Sequence, residues 1–134
     1  MADISTFDGI AHRLSSDRPF DEVVENLDLR ARAHGFKVLT VHDVQETLAG
    51  KGLMRGPLKI VEVCNAVFAH EATAKDVGVA IFMPCRYAVH SEAKRTVVTL
   101  ARPSMIAHML PEAGLGDLAE EVEQTLKAIM EEAV

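Results

Sequence analysis

The chain is poor in basic residues and in aromatic side chains. Its 134 residues contain 14 Lys and Arg against 20 Asp and Glu, which gives a formal net charge of −6, and they include five Phe, one Tyr and no Trp. Nucleic-acid binding relies on a basic surface, and binding of single strands adds aromatic side chains on which bases stack. Because both features are missing, we set nucleic acid aside as a partner.

Long apolar runs are also missing. No segment approaches the roughly 20 apolar residues of a membrane helix, and the polar, acidic start MADISTFDGIAHR lacks the apolar core of a secretory signal. We therefore expect a cytoplasmic protein with no membrane partner. In that compartment the two cysteines are more often reduced than bridged, and two are too few for a disulfide framework.

The common sequence motifs of metal and cofactor sites are absent. There is no CxxC, CxxH or HExxH spacing of the kind that zinc sites use, and no CxxCH motif for covalent haem. The glycine-rich loops GxGxxG and GxxxxGK[ST], which hold phosphates, do not occur either. These absences argue against structural zinc, covalent haem and a glycine-rich nucleotide site, but they leave non-covalent haem open, since it needs only one or two axial ligands.

What the chain does contain predicts one α+β domain over residues 1–134. Apolar residues make up 49% of it, so a packed core is expected. Helical periodicity indicates helices over 19–34, 66–74 and 115–133, with a short one after Pro103. Strand signals cover 36–44, 58–64, 77–83, 85–90 and 96–101, with a weak edge strand within 5–14. This order favours a mostly antiparallel sheet with helices packed on one face and a long C-terminal helix.

The last predicted helix has a strongly acidic side. Its apolar residues follow the 3.6-residue period, and its five glutamates lie mostly on the opposite face: Glu120, Glu121, Glu123, Glu131 and Glu132. We expect this face to be solvated, as most charged helix faces are.

The cysteines are the best candidates for a site. Cys64 ends a predicted strand just before Asn65, a good helix cap. A helix start favours anions, so this setting could lower the pKa of the thiol and make it reactive. Cys85 follows Pro84, where a sheet must bend or end. The alternative is that both cysteines are small buried hydrophobic residues, which free cysteines commonly are.

Histidines supply the other candidate ligands. His70 lies within the predicted helix that follows Cys64, but six residues across a strand–helix junction fix no shared geometry. A metal ion could use Cys64, His70 and Cys85, and His42 or His108 could serve as axial ligands of a haem. Such residues permit haem or a transition metal without being diagnostic of either.

At this point the chain resembles the domain-of-unknown-function family numbered 302 (DUF302). The matching stretches are PFDEVVENLDLRARAHGFKVLTVHDV, KIVEVCNAVFAHEA and VAIFMPCRYAVH, together with the C-terminal helix, from about residue 16 onward. They carry the family's Gly-Phe pair, Cys-Asn turn, Pro-Cys segment and, in part, its Ala-His stretch. Ala66 departs from the pattern, because the family usually has Pro after the Asn.

The resemblance implies a compact α+β domain, often dimeric, with no settled activity. It also suggests that the turn at Cys64 and Asn65 comes close to the bend at Pro84 and Cys85, forming a concave site. We therefore expect Cys64, Asn65, His70 and Cys85 to contact a ligand, and a homodimer to form.

Three functions remain open at this stage. The first is a non-enzymatic protein that binds a haem, a metal or another small ligand near Cys64 and Cys85. The second is a thiol-dependent redox or hydrolytic enzyme that uses one of these cysteines. The third is a dimeric interaction module whose cysteines only pack. The sequence thus leaves enzymatic and non-enzymatic functions open.

Overall fold

The structure is a computed structural model that describes residues 9–134. Along the chain its strands and helices are β1 (Ala11–Ser16), α1 (Phe20–Ala33), β2 (Lys37–Asp43), α2 (Val44–Ala49), β3 (Leu58–Cys64), α3 (Ala66–Lys75), a 3-10 helix (Val77–Phe82), β4 (Cys85–Glu92), β5 (Arg95–Ala101), α4 (Ser104–Met109), a 3-10 turn (Pro111–Ala113) and α5 (Gly116–Ala133). No helix within residues 9–134 is both long and apolar enough to cross a membrane.

The five strands form one antiparallel sheet in the order β1-β5-β4-β3-β2. Its buried face is formed by alternate residues of the three central strands: Val61, Val63, Tyr87, Val89, Val98 and Leu100. The long helices α1 and α5 cover this face with their apolar sides, and the Tyr87 hydroxyl donates a hydrogen bond to the carbonyl of Leu126 in α5. The predicted α+β fold, with helices on one face and a long C-terminal helix, is confirmed.

Local sequence signals explain where α1 ends and β2 begins. Asp21 and Glu22 lie in the first turn of α1, where the helix dipole favours negative charge. Gly35 follows the helix with a φ of +80°, a conformation that costs glycine little, and the Phe36 amide then donates to the Ala31 carbonyl at 2.8 Å. This turn directs the chain into β2, beside the end of β3.

Three local predictions differ from the structure. Of the strand predicted over 77–83, residues Val77–Phe82 form a 3-10 helix instead, because the Asp76 carboxylate accepts a hydrogen bond from the Gly78 amide and starts a helical turn. A bulge between Val38 and Thr40 breaks the simple alternation of β2, so that Val38 and Val41 face the same side. The edge strand β1 begins at Ala11, later than predicted, and positions 5–8 of that prediction lie outside the described residues.

Candidate functional site

A cavity of about 80 Å³ lies between the buried face of the sheet and the helices α3, α4 and α5. We refer to it as the thiol cavity, because both cysteines lie on its wall. Apart from Asn65, the lining consists of apolar and thiol side chains, including Phe36, Cys64, Phe68, Ala72, Phe82, Pro84, Cys85, Ile106 and Leu118. The cavity is partly open to solvent, so a ligand can reach its apolar wall from the surface.

Strand pairing brings the two cysteines together. Cys64 is the last residue of β3 and Cys85 the first of β4, and in the antiparallel register Cys85 lies opposite Val63, the neighbour of Cys64. Both thiols therefore stand at the same end of the sheet, and both are free. The Cys64–Asn65 turn and the Pro84–Cys85 bend thus line one cavity.

Burial controls the ionisation of both thiols. It raises the pKa of Cys64 above its ordinary value of 9.0. For Cys85, burial and the nearby Cys64 raise the pKa to about 11, although the positive charge of Arg86 acts in the opposite direction. The expectation that the start of α3 lowers the pKa of Cys64 is wrong, because burial of the thiol raises this pKa. Both thiols are protonated at neutral pH.

Asn65 holds this corner of the molecule. Its Oδ1 accepts a hydrogen bond from the Phe68 amide at 3.1 Å, which confirms the predicted cap of α3. Its Nδ2 donates to the Gly35 carbonyl at 2.9 Å and so links the start of α3 to the end of α1. Asn65 therefore positions Cys64 and Phe68 on the cavity wall, of which it is itself a part.

The candidate histidines lie elsewhere. His70 and His108 are exposed on α3 and α4, and His42 lies on the uncovered sheet face, where its Nε2 is 3.4 Å from a Glu62 oxygen. None of them is among the residues that line the thiol cavity. Over residues 9–134 no group of three His, Cys, Asp or Glu side chains could hold a metal ion. The structure brings together Cys64, Asn65 and Cys85, but not His70.

The size of the thiol cavity sets what can enter it. Sites for whole organic ligands measure about 300–1,000 Å³, whereas this cavity measures about 80 Å³. It has room for a small molecule or for one apolar group of a larger ligand, and in this form it does not accommodate a haem.

A buried carboxylate, Glu123, supports the start of α4 at the wall of the cavity, and the sequence pattern did not predict its burial. Glu123 of α5 is only 5% exposed, so the expected solvation of this glutamate is wrong. It accepts hydrogen bonds from Arg102 Nε at 3.1 Å and from the Ser104 amide at 3.0 Å, and His12 Nε2 lies 3.0 Å from it. These contacts tie β1 and the start of α4 to α5.

The charge of Glu123 is strongly stabilised. Burial alone would raise its pKa, but hydrogen bonds from Ser104, the contact with His12 and the positive charge of Arg102 lower the pKa to about 2. One sequence signal could have identified it: Glu123 lies four residues after Ala119, three before Leu126 and seven before Met130, all of which are buried.

Comparisons with known proteins agree with this fold. A family described as "Domain of unknown function DUF302" matches residues 12–133. The crystal structure of an uncharacterized conserved DUF302 protein from Bacillus stearothermophilus is similar, with a TM-score of 0.88 and 28% sequence identity over 92% of this chain and 98% of that one. No curated protein matches the chain.

Proposed function

The chain belongs to the DUF302 family, and we propose that it is a small-ligand-binding protein that takes an apolar group of its ligand into the thiol cavity. The observation that carries this proposal is the cavity itself, an apolar, partly solvent-open space of about 80 Å³ between the sheet and the helices. A concave apolar site with one or two polar groups is the usual form of a small-molecule site.

The volume limits the part of the ligand that is bound. An engineered apolar cavity of about 150 Å³ in another protein accepts benzene or xenon, so a cavity of about 80 Å³ suits a chain of about four carbons. Each buried methylene stabilises the complex by about 0.8 kcal/mol. Four of them give about 3 kcal/mol, which is weaker than the roughly 4 kcal/mol of a millimolar complex. The remaining affinity must come from the rest of the ligand, outside the cavity.

The state of the thiols favours binding over nucleophilic catalysis. A reactive cysteine requires a pKa near or below neutrality, whereas burial raises the pKa of both thiols and brings that of Cys85 to about 11. A protonated thiol acts as a small, polarizable apolar group. In this role Cys64 and Cys85 line the cavity without reacting with the ligand.

A series of alcohols tests the proposal. From ethanol to 1-butanol, affinity should rise about fourfold per methylene and then level off when the cavity is full. Binding is followed by amide chemical shifts in NMR spectra. Ala72→Leu, on the cavity wall, should abolish the effect, whereas Ala74→Leu, exposed on the same helix, should not.

Two results would contradict the proposal. One is equal binding of the alcohols to the wild type and to Ala72→Leu. The other is a stoichiometric metal ion in the purified protein that disappears in both Cys64→Ser and Cys85→Ser, because it would show that the thiols hold an ion instead of an apolar group.

Two further expectations accompany this proposal. The homodimer implied by the family resemblance is tested by sedimentation equilibrium, in which a monomer mass at all concentrations would contradict it. The expected cytoplasmic location is tested by fractionation of the source cells, in which recovery outside the cytoplasm would contradict it.

A further inference from the structure

A second, larger concavity lies behind the thiol cavity, on the opposite face of the sheet. We call it the outer groove. It occupies the end of β1, β5 and β4 that lies beside α4, and measures about 570 Å³, within the range of about 300–1,000 Å³ for organic-ligand sites. One wall, formed by Phe82, Pro84, Cys85, Pro103 and Ile106, separates it from the thiol cavity.

Apolar side chains form the rim of the outer groove. Ile81 is 80% exposed, Met109 51% and Ile10 49%, and Met105 lies beside them. Such a group of exposed apolar side chains marks a binding surface more often than an isolated one does. Methionines adapt their shape to a ligand, because their chains are unbranched and polarizable.

The charged side chains that line the outer groove are basic, and each has a carboxylate partner just outside the groove. The formal net charge is −6, yet the charged side chains among the described residues that line the groove are Arg86 and Arg102, with no carboxylate. Arg86 forms a long ion pair with Glu62, whose closest N–O distance of 3.8 Å is beyond hydrogen-bond range, so a ligand carboxylate would replace Glu62 as the closer partner of the guanidinium. Arg102 donates from Nε to Glu123, which holds its side chain in place.

From this combination we propose that the outer groove binds a free single-chain organic carboxylate. The carboxylate pairs with the Arg86 guanidinium, whose planar fork matches it, and the alkyl chain lies along Ile81, Met105 and Met109. The acidic chain as a whole is repelled by an anionic membrane surface, which favours a ligand in solution over a lipid headgroup. This inference goes beyond the proposed function, because it concerns a separate space with different chemistry.

Isothermal titration calorimetry with three eight-carbon probes tests the charge requirement. Octanoate should bind at least about tenfold more tightly than 1-octanol or octylammonium, because only octanoate forms the charge-assisted pair. Arg86→Met replaces the charged guanidinium but keeps an apolar chain of similar length. This variant should bind octanoate no more tightly than 1-octanol, and its affinity for 1-octanol should match that of the wild type. Arg30→Gln removes an exposed arginine outside the groove and should change nothing.

Two further variants identify the site. Ile81→Glu should weaken both octanoate and 1-octanol, and Ala72→Leu, which fills the thiol cavity, should leave octanoate affinity unchanged. The proposal is overturned if octanoate and 1-octanol bind equally, if Arg86→Met retains octanoate affinity, or if Ala72→Leu abolishes it. It is also overturned if octanoate does not bind and Ile81→Glu lowers the sedimenting mass, because a second copy of the chain then covers the groove.

Discussion

Replacing Glu123 by Gln should destabilise the protein in a pH-dependent way. The substitution keeps the size of the side chain but removes the negative charge that faces Arg102 and His12. An amide also presents donors toward groups that already donate, so hydrogen bonds are lost at a position that is only 5% exposed. Because Ser104 starts α4, the wall between the thiol cavity and the outer groove should loosen as well.

The pKa of Glu123 gives the magnitude and the sign. The difference between its ordinary value of 4.5 and about 2 in the folded protein corresponds to about 3 kcal/mol. Since Arg102 and His12 are partly exposed, solvent screening reduces the expected contribution to about 1–2 kcal/mol. A lowered carboxyl pKa stabilises the fold above about pH 4.5, and the stabilisation is lost as the pH falls toward about 2.

Urea unfolding followed by circular dichroism measures this contribution. At about pH 7 the Glu123→Gln variant should be about 1–2 kcal/mol less stable than the wild type, and at about pH 3 the difference should fall to less than about half. Glu120→Gln, exposed on the same helix, is the matched control and should change stability little. Equal stability of Glu123→Gln and wild type at neutral pH would refute the reasoning, and so would a difference that does not shrink in acid.

Three further predictions concern the cavity and its surroundings. Asn65→Ala should cost about 1 kcal/mol in thermal unfolding, through loss of the α3 cap, and Asn65→Asp should cost less because it keeps the accepting oxygen; equal losses would contradict the capping role. Burial raises the pKa of Tyr87 above its ordinary value of 10.0, so the absorbance of folded protein at that pH should show little tyrosinate, and more should form when the protein unfolds. Half-ionisation of Tyr87 in folded protein at that pH would contradict its burial. Alkylation of Cys85 should become half-maximal near pH 11 and at lower pH in Cys64→Ser, as measured by peptide mass spectrometry; a midpoint near 9.0 in the wild type would argue against burial.

Elements with one clearly buried face could be predicted from sequence. The alternation of Leu58–Cys64 predicts β3 with its observed bounds, because Val61 and Val63 enter the core while their neighbours do not. The apolar period of α5 likewise predicts a helix that starts one residue before the observed Gly116. In both cases the local pattern and the tertiary packing require the same structure.

Features that depend on side-chain contacts could not be predicted in this way. A short apolar run such as Val77–Phe82 fits a strand or a helical turn equally well, and the hydrogen bond between Asp76 and Gly78 decides between them. The bulge in β2 is set by pairing with β3, which the sequence of β2 does not contain.

The candidate site was predictable only in part. The turn at Cys64 and Asn65 carries its own signal, but the approach of Cys85 depends on pairing between β3 and β4. The direction of the thiol pKa shifts depends on burial, which is a tertiary property. The sequence pattern groups Glu123 with the solvated glutamates because the other four glutamates of α5 lie on its exposed side. The partners that bury Glu123 come from β1 and α4, which the sequence of α5 does not contain.

The most direct test of the central claim is a crystal structure of the protein under xenon pressure, because xenon enters small apolar cavities. The account predicts a xenon atom in the thiol cavity of the wild type, in contact with the side chains near Cys64 and Cys85, and none there in Ala72→Leu. A wild-type cavity that takes up no xenon, or xenon bound equally in both proteins, would contradict the assignment of this cavity as a ligand site.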